Sequence, residues 1–222
     1  GAAPAGAAPR RGTLLVRLAV FGGTGRVGSR VIASALAAGH AVRALARDPA
    51  RLPPRPGLSC VTGDATDPVA VRATLEGTEA VISALGGGPV ERPGTVLSDG
   101  MRQIVAAMAH AGLFRVAAVA GSGILDHPVG GLRGEAPDFP AVYRAINAEH
   151  LGTWRALRQS DLAWTLACCP DLVDGEGGGR YRVTADQLPE GATRIAVGDV
   201  AAFLLTQVEY MTFVRRRVGL GD

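Results

Sequence analysis

Short apolar runs alternate with stretches of helical spacing along most of this chain, and that alternation limits its possible folds more than any other feature. Val16–Phe21 has the length and composition of a buried strand. Beyond it, Val27, Val31, Ile32, Ala35 and Leu36 recur at helical spacing, and Gly39 supplies a natural stop. Further strands are predicted at Ala41–Ala46, Leu58–Thr62, Ala80–Ala84, Val116–Ala120 and Ala163–Cys168. Helices are predicted from Pro68 to Leu75 with Asp67 as N-cap, from Thr95 to Ala111, and from Val142 to Ser160. Tyr181–Thr184 reads as a small strand, Asp199 as the cap of a helix to Tyr210, and Arg216–Leu220 as a last strand. Residues 123–141 carry Gly and Pro without periodicity and read as a long loop. Strands separated by helices leave little room for hairpins. The expected fold is therefore α/β, Rossmann-like and doubly wound, with a mainly parallel sheet and helices on both faces.

The first strand-to-helix junction reads "VFGGTGRVGSRV", Val20 to Val31. Its glycines fit G-x-G-x-x-G from Gly23 to Gly28 and G-x-x-G-x-x-G from Gly22 to Gly28. In a chain with 31 glycines such a match can be a plain corner. Here it follows a strand, opens a helix and lies within a βαβ unit, which is the setting that gives the pattern chemical meaning. The first glycines allow the tight turn, Gly25 lets the backbone approach a pyrophosphate, and Gly28 brings the helix close to the sheet. Thr24, Arg26 and Val27 complete the turn and the helix start, and are assigned to the cofactor with Gly22 and Gly25.

The second strand ends in "ALARDPARL". An NAD enzyme usually places an acidic residue there for the ribose hydroxyls. Arg47 and Arg51 stand there instead, and two guanidiniums suit a 2′-phosphate, so the cofactor is read as NADP(H). The competing reading pairs Arg47 with Asp48 or a neighbouring carboxylate, and Arg43 is placed at the surface. The next two strand ends should also line the cofactor: Asp64 and Ala65 on one side, Leu85 and Gly86 on the other. Asp64 either meets the adenine or merely caps its loop.

Composition removes several classes of function. All 23 basic residues are Arg, so a Lys base, a Schiff-base Lys and a P-loop Lys are excluded. The net charge is +3 with the arginines scattered, which argues against a nucleic-acid partner. No run of about 18 apolar residues occurs, so no membrane span is expected. Aromatics make up 5%, so Ala, Val and Leu must build the core. Cys60, Cys168 and Cys169 show no metal spacing, and the latter two read as buried thiols of a reducing compartment. Residues 1–12 are low in complexity and read as a disordered tail or a remnant of expression, ahead of a single domain over 13–222. Arg10 and Arg11 have the outline of a twin-arginine export signal. Arg17 interrupts the following run and a glycine turn stands where cleavage would fall, so a cytoplasmic protein is expected.

These motifs together resemble the atypical short-chain dehydrogenases/reductases with NAD(P)H-binding, NmrA-like domains, and most of all their biliverdin-IXβ reductase/flavin reductase group. The resemblance runs over residues 14–220 and is carried by "FGGTGRVG", "ALARDPARL", "GDATD", "AVISALG", "VAGSGILDHP" and "AEHLGTWRALRQSDL". It implies that Ser122 and His150 sit beside the nicotinamide and substrate and that Pro170 backs the nicotinamide. Those reductases carry a His after this proline where the chain has Asp171, which puts a tetrapyrrole or flavin substrate in doubt. Ordinary short-chain dehydrogenases use Tyr-x-x-x-Lys. Here "YRAIN" pairs Tyr143 with Asn147, leaving Tyr143 without the cation that lowers its pKa.

Ser122, Tyr143 and His150 are the candidate catalytic residues, with His127 and Asp171 at the substrate; the substrate region spans 122–145 and 168–195. A Ser122–His150–Asp171 triad lacks the spacing of a nucleophile elbow. The sequence reads as an NADPH-dependent reductase of a small planar or conjugated substrate, monomeric or homodimeric. A non-catalytic NADP(H) sensor and a non-redox isomerase or cyclase remain open beside it.

Overall fold

A computed structural model describes residues 15–222. The expected tail over residues 1–12 and the Arg10–Arg11 pair lie outside the described residues. β1 (Arg17–Phe21) leads into α1 (Arg26–Ala37), and β2 (Ala41–Ala46) into β3 (Leu58–Thr62). Then follow α2 (Pro68–Leu75), β4 (Ala80–Ser83), α3 (Val96–Ala111), β5 (Arg115–Gly121), α4 (Arg144–Arg158) and β6 (Ala163–Cys169). The last portion holds β7 (Asp171–Val173), β8 (Arg182–Ala185), β9 (Arg194–Ala196), α5 (Val197–Tyr210) and β10 (Arg216–Gly221).

The eight-stranded sheet has the order β3-β2-β1-β4-β5-β6-β10-β8, and all its pairings are parallel except β10 with β8. The chain moves outward from β1 through β2 to β3, then returns to β4 on the other side of β1. That reversal leaves a crevice beyond the carboxyl ends of β1 and β4, the place where doubly wound sheets bind ligands. β7 and β9 form a separate parallel pair.

Each strand feeds two cores because successive side chains leave opposite faces. Leu18 and Val20 of β1 pack with Val31 and Ile32 of α1 and Leu204 and Val208 of α5. Ala19 and Phe21 pack with Met101, Ile104 and Met108 of α3 and Leu157 of α4. Cys168 and Cys169 are both buried and fall in opposite cores. Burial raises both thiols, that of Cys169 to about 12.

The predicted stops hold. Gly39 adopts φ +90° and, with His40, donates to Leu36 and Ala35 carbonyls in a Schellman arrangement. Asp67 caps α2 by accepting from the Val69 N–H at 2.9 Å, with Pro68 at N1. Asp199 is different. β9 runs straight into α5, Ala196 is the N-cap, and Asp199 lies in the first turn. Its carboxylate instead accepts from Gly178 N and Gly179 N, tying down the glycine-rich segment after β7. The loop after β5 also holds more structure than its composition suggests. It contains 3₁₀ turns at Ser122–Ile124 and Arg133–Glu135, joined by an antiparallel bridge from Asp126 to Leu132.

His40 joins the start of β1 to the end of α5. Its buried Nδ1 lies 3.1 Å from Val16 N and Nε2 lies 2.8 Å from Glu209 Oε1. A backbone N–H only donates, so Nδ1 accepts and the ring proton sits on Nε2, donating to Glu209. His40→Phe leaves a buried N–H and a carboxylate unpaired and is expected to cost about 2–3 kcal/mol. Glu209→Gln keeps an acceptor and should cost under about 1 kcal/mol. Urea unfolding of the two variants distinguishes them, and equal losses would refute this pairing.

Candidate dinucleotide-binding site

The site begins where β1 stops. Gly22 takes φ +78°, and a Cβ there would overlap the Ala84 carbonyl at the end of β4. A Cβ at Gly28 would overlap the Gly22 carbonyl. Two glycines thus let β1, β4 and α1 converge at one point. Gly25 differs: the nearest atom to its Cβ would be Gly22 O at 3.3 Å, and no other heavy atom lies within 4 Å. Its N–H bonds Gly22 O, and the Ser29 N–H bonds back to Gly25 O. Among the described residues the N–H groups of Arg26, Val27 and Gly28 have no backbone acceptor. The first turn of α1 carries no acidic residue. An unneutralised helix N-terminus with free donors attracts an anion.

A cleft of about 680 Å³ opens over this turn. Gly22, Thr24, Gly25, Arg26, Val27, Arg47, Arg51, Asp64, Ala65, Leu85 and Gly86 all line it. Pro170 does not; Leu172, two residues on, lines it, as does Val119. These two, with Thr95 and Val96 at the start of α3, have no local motif, and only the fold brings them to the cleft.

Arg47 follows β2 and is exposed, without a carboxylate in ion-pair reach among the described residues. Asp48 does not pair with it: its carboxylate accepts from the Ala50 N–H at 3.1 Å. Arg51 lies one turn away with Nη2 3.4 Å from Thr24 O. Arg43 is occupied at the surface by Glu76, at 3.3 Å. Asp64 does close its own loop, since Oδ1 accepts from Thr66 N at 2.9 Å and from the Thr66 hydroxyl at 2.7 Å. Those bonds, with the Arg47 charge adding to them, hold its carboxyl below the usual range against the opposing effect of burial. Both bonds use one oxygen, so the second remains available.

The sequence-predicted catalytic residues lie beyond β5 and on α4. Ser122 opens the 3₁₀ turn directly after β5. The His150 ring stacks on Gly121, where a Cβ would sit 2.9 Å from Cδ2 and 3.2 Å from Nε2. One turn earlier the Asn147 amide wedges between Gly123 and Gly134, and Ile146 fills the space over Gly87. α4 therefore seats on backbone at several glycines. Tyr143 precedes the helix, 38% exposed, and Asn147 is committed to its wedge; no hydrogen bond joins them among the described residues. His127 is held in its own loop, with its N–H on Gly131 O and Nδ1 accepting from Val129 N at 3.4 Å. Asp171 is exposed at the start of β7, and its N–H bonds Thr193 O. No hydrogen bond links Ser122, His150 and Asp171 among the described residues, so no triad forms.

His150 Nδ1 is buried without a hydrogen-bond partner. Desolvation lowers the imidazole pKa to about 4, so at neutral pH the ring is uncharged and keeps one N–H to donate. Glu149, its neighbour, bonds Ser98 N at 3.2 Å and the Ser98 hydroxyl at 3.0 Å, fixing α4 to the start of α3.

Fold and site together define a protein that binds a dinucleotide at the switch point of a doubly wound sheet. Comparison with known proteins specifies it further. The model of an NAD(P)H-binding family matches residues 22–210, and the chain belongs to that family. A Burkholderia pseudomallei protein, described as a candidate exported protein, is 30% identical with a TM-score of 0.81, over 94% of this chain and 100% of that one. A candidate NADH-flavin reductase from Streptococcus pneumoniae TIGR4 is 23% identical with a TM-score of 0.79, over 93% and 99%. A 3-beta-hydroxysteroid dehydrogenase from Mycolicibacterium neoaurum is 33% identical over 128 residues, 53% of this chain. The chain covers only 35% of that relative's length. No helix among the described residues is long and apolar enough to cross a membrane.

The His150 environment has a consequence for stability. Its native pKa lies below that of the unfolded chain, so between about pH 6.5 and 4 the unfolded state takes a proton that the native state refuses. The stability tied to this group is complete above the upper value and declines as pH falls toward the lower one. His150→Gln should lose about 2–3 kcal/mol less than the parent between pH 7 and pH 4, measured by urea unfolding at each pH. Parallel losses would contradict the desolvated imidazole.

Proposed function

We propose that this protein is an NADPH-dependent reductase that delivers hydride to a small planar or conjugated acceptor. The observation that carries the reading is the unpaired Arg47 beside Arg51 at the edge of the glycine-turn cleft. The free N–H groups of α1 suit the pyrophosphate, and the two guanidiniums suit a 2′-phosphate. When bound, NADPH supplies the hydride; the protein's task is to hold both reactants dry and in contact. Val119 and Leu172 give the cleft apolar walls. Ser122 and the neutral His150 would offer hydrogen-bond donors to an acceptor carbonyl, with Tyr143, His127 and Asp171 on the substrate side; none of the five lines the cleft over the glycine turn, so the acceptor is taken to sit beyond it. Pro170 lies two residues before Leu172 and is kept in this reading as a residue near the nicotinamide, although it does not line the cleft. The same reading takes residues 13–222 as a single domain, cytoplasmic and monomeric or homodimeric.

An NADP(H) sensor is the second reading. It rests on Asn147 standing where ordinary short-chain dehydrogenases carry the Lys, with its amide wedged between Gly123 and Gly134. NADPH oxidation with flavins, quinones and enones separates the two, and a 3β-hydroxysteroid with NADP⁺ covers the chemistry in the Mycolicibacterium relative's name. Turnover with any of them supports an oxidoreductase, whereas tight NADPH binding without turnover favours the sensor. Arg47→Ala and Arg51→Ala should each lower the NADPH-to-NADH affinity ratio about tenfold. An unchanged ratio in calorimetric titrations would overturn the choice of NADP(H).

A further inference from the structure

The acceptor end of the site depends on a residue far from it in sequence. Arg217 is the second residue of β10 and only 7% exposed. Its guanidinium donates to Ile124 O at 2.6 Å and to Asp126 Oδ1 at 2.7 Å. A third oxygen, Asp186 Oδ1, lies 3.4 Å from its Nε, and the group sits 4.2 Å from the centre of the Trp154 ring. Ile124 closes the 3₁₀ turn that Ser122 opens. Trp154 stands four residues after His150, on the same face of α4. One side chain thus touches both elements that carry the candidate donors.

We propose that Arg217 is a positioning residue that fixes the Ser122–Asp126 turn relative to α4 and so sets the acceptor geometry. The inference rests on the reductase reading for its catalytic part, while the clamp itself stands on contacts alone. Val218 and Leu220 pack into the core on the other face of the sheet, so on the α4 side β10 presents Arg217 beside only Gly219 and Gly221. The guanidinium's hydrogen bonds and its aromatic contact all go to residues outside the strands β10 pairs with; Asp186, one residue beyond β8, also bonds the Arg217 backbone, donating its N–H to Arg217 O and accepting the Arg217 N–H on Oδ1 at 3.4 Å. The Asp126 N–H in turn bonds Asp186 O at 2.8 Å, so the turn is held on its backbone as well as through the guanidinium. A planar fork can serve a carbonyl, a carboxylate and a ring face at once; a Lys ammonium cannot.

The test uses the full chain with Arg217→Met and Arg217→Lys, and Asp126→Asn as the milder variant should Arg217→Met fail to fold. Three readouts are taken: NADPH affinity, amide hydrogen exchange over 122–126, and turnover with menadione at saturating NADPH. Arg217→Met should speed exchange in that segment about tenfold or more, with NADPH affinity changed less than about threefold. Turnover should drop about tenfold or more, and Lys should restore only part of it. Asp126→Asn should shift exchange and turnover in the same direction but less. Unchanged exchange over 122–126, or faster exchange with unaltered turnover, would overturn the proposal. So would equal losses of cofactor affinity and turnover, which indicate general destabilisation. If the parent protein turns over no acceptor at all, the reductase reading fails, and the exchange measurement still decides whether Arg217 holds the turn.

Discussion

Gly22 sits where β1, β4 and α1 meet, with its own α-carbon against the Ala84 carbonyl and its oxygen against Gly28. No side chain fits into either contact. This steric requirement sets the distance between the first strand and the first helix, and with it the width of the crevice at the switch point. It also leaves the first N–H groups of α1 directed into a cleft instead of into a neighbouring chain segment. The anion site is therefore a by-product of how tightly the backbone packs, and the helix dipole adds to it because no carboxylate stands in the first turn.

The other half of the site is assembled by the same means from different parts. α4 comes close to the ends of β4 and β5 because Gly87, Gly121 and Gly123 leave room for Ile146, His150 and Asn147. Across the cleft mouth, Arg26 reaches from α1 to Leu172 O at 3.2 Å and to Asp174 at 3.4 Å, and Arg30 pairs with Glu176. The segment after β6 is thereby held over the helix N-terminus by the helix itself. Polar side chains hold the loops in place, and glycines set how closely the helices approach.

The alternating, mainly parallel architecture and the residues that line the cleft over the glycine turn are legible in the sequence because their signals are local. A strand, a glycine turn and a helix occupy consecutive residues, and Arg47 and Arg51 follow the next strand directly. β7 and β9 were missed because three residues show no periodicity, and Arg194 in β9 looks like loop chemistry. Asp199 was read as a cap because a carboxylate before an apolar helix usually is one; β9 leaves no gap for a cap and frees Asp199 to hold Gly178 and Gly179. Leu172, Val119 and Arg217 could not be singled out from sequence. Their importance comes from strands separated by tens of residues lying side by side. Tyr143 and Asn147 illustrate the opposite hazard. Their spacing is that of the Tyr-x-x-x-Lys pair with the cation missing, and packing leaves Tyr143 part-exposed and the Asn147 amide between two glycines.

The contact between the His150 ring and Gly121 also bears on how such a protein can change over generations. The two positions share one small volume, so neither can drift alone. A larger residue at 121 is tolerated only after the ring at 150 has shrunk, and a smaller residue at 150 leaves a void until 121 grows. Sequence change where α4 meets the end of β5 therefore has to pass through paired substitutions, with the ring at 150 giving way first. Change is accommodated more easily at the exposed residues 128–131 of the loop after β5 than on the helix that carries the imidazole.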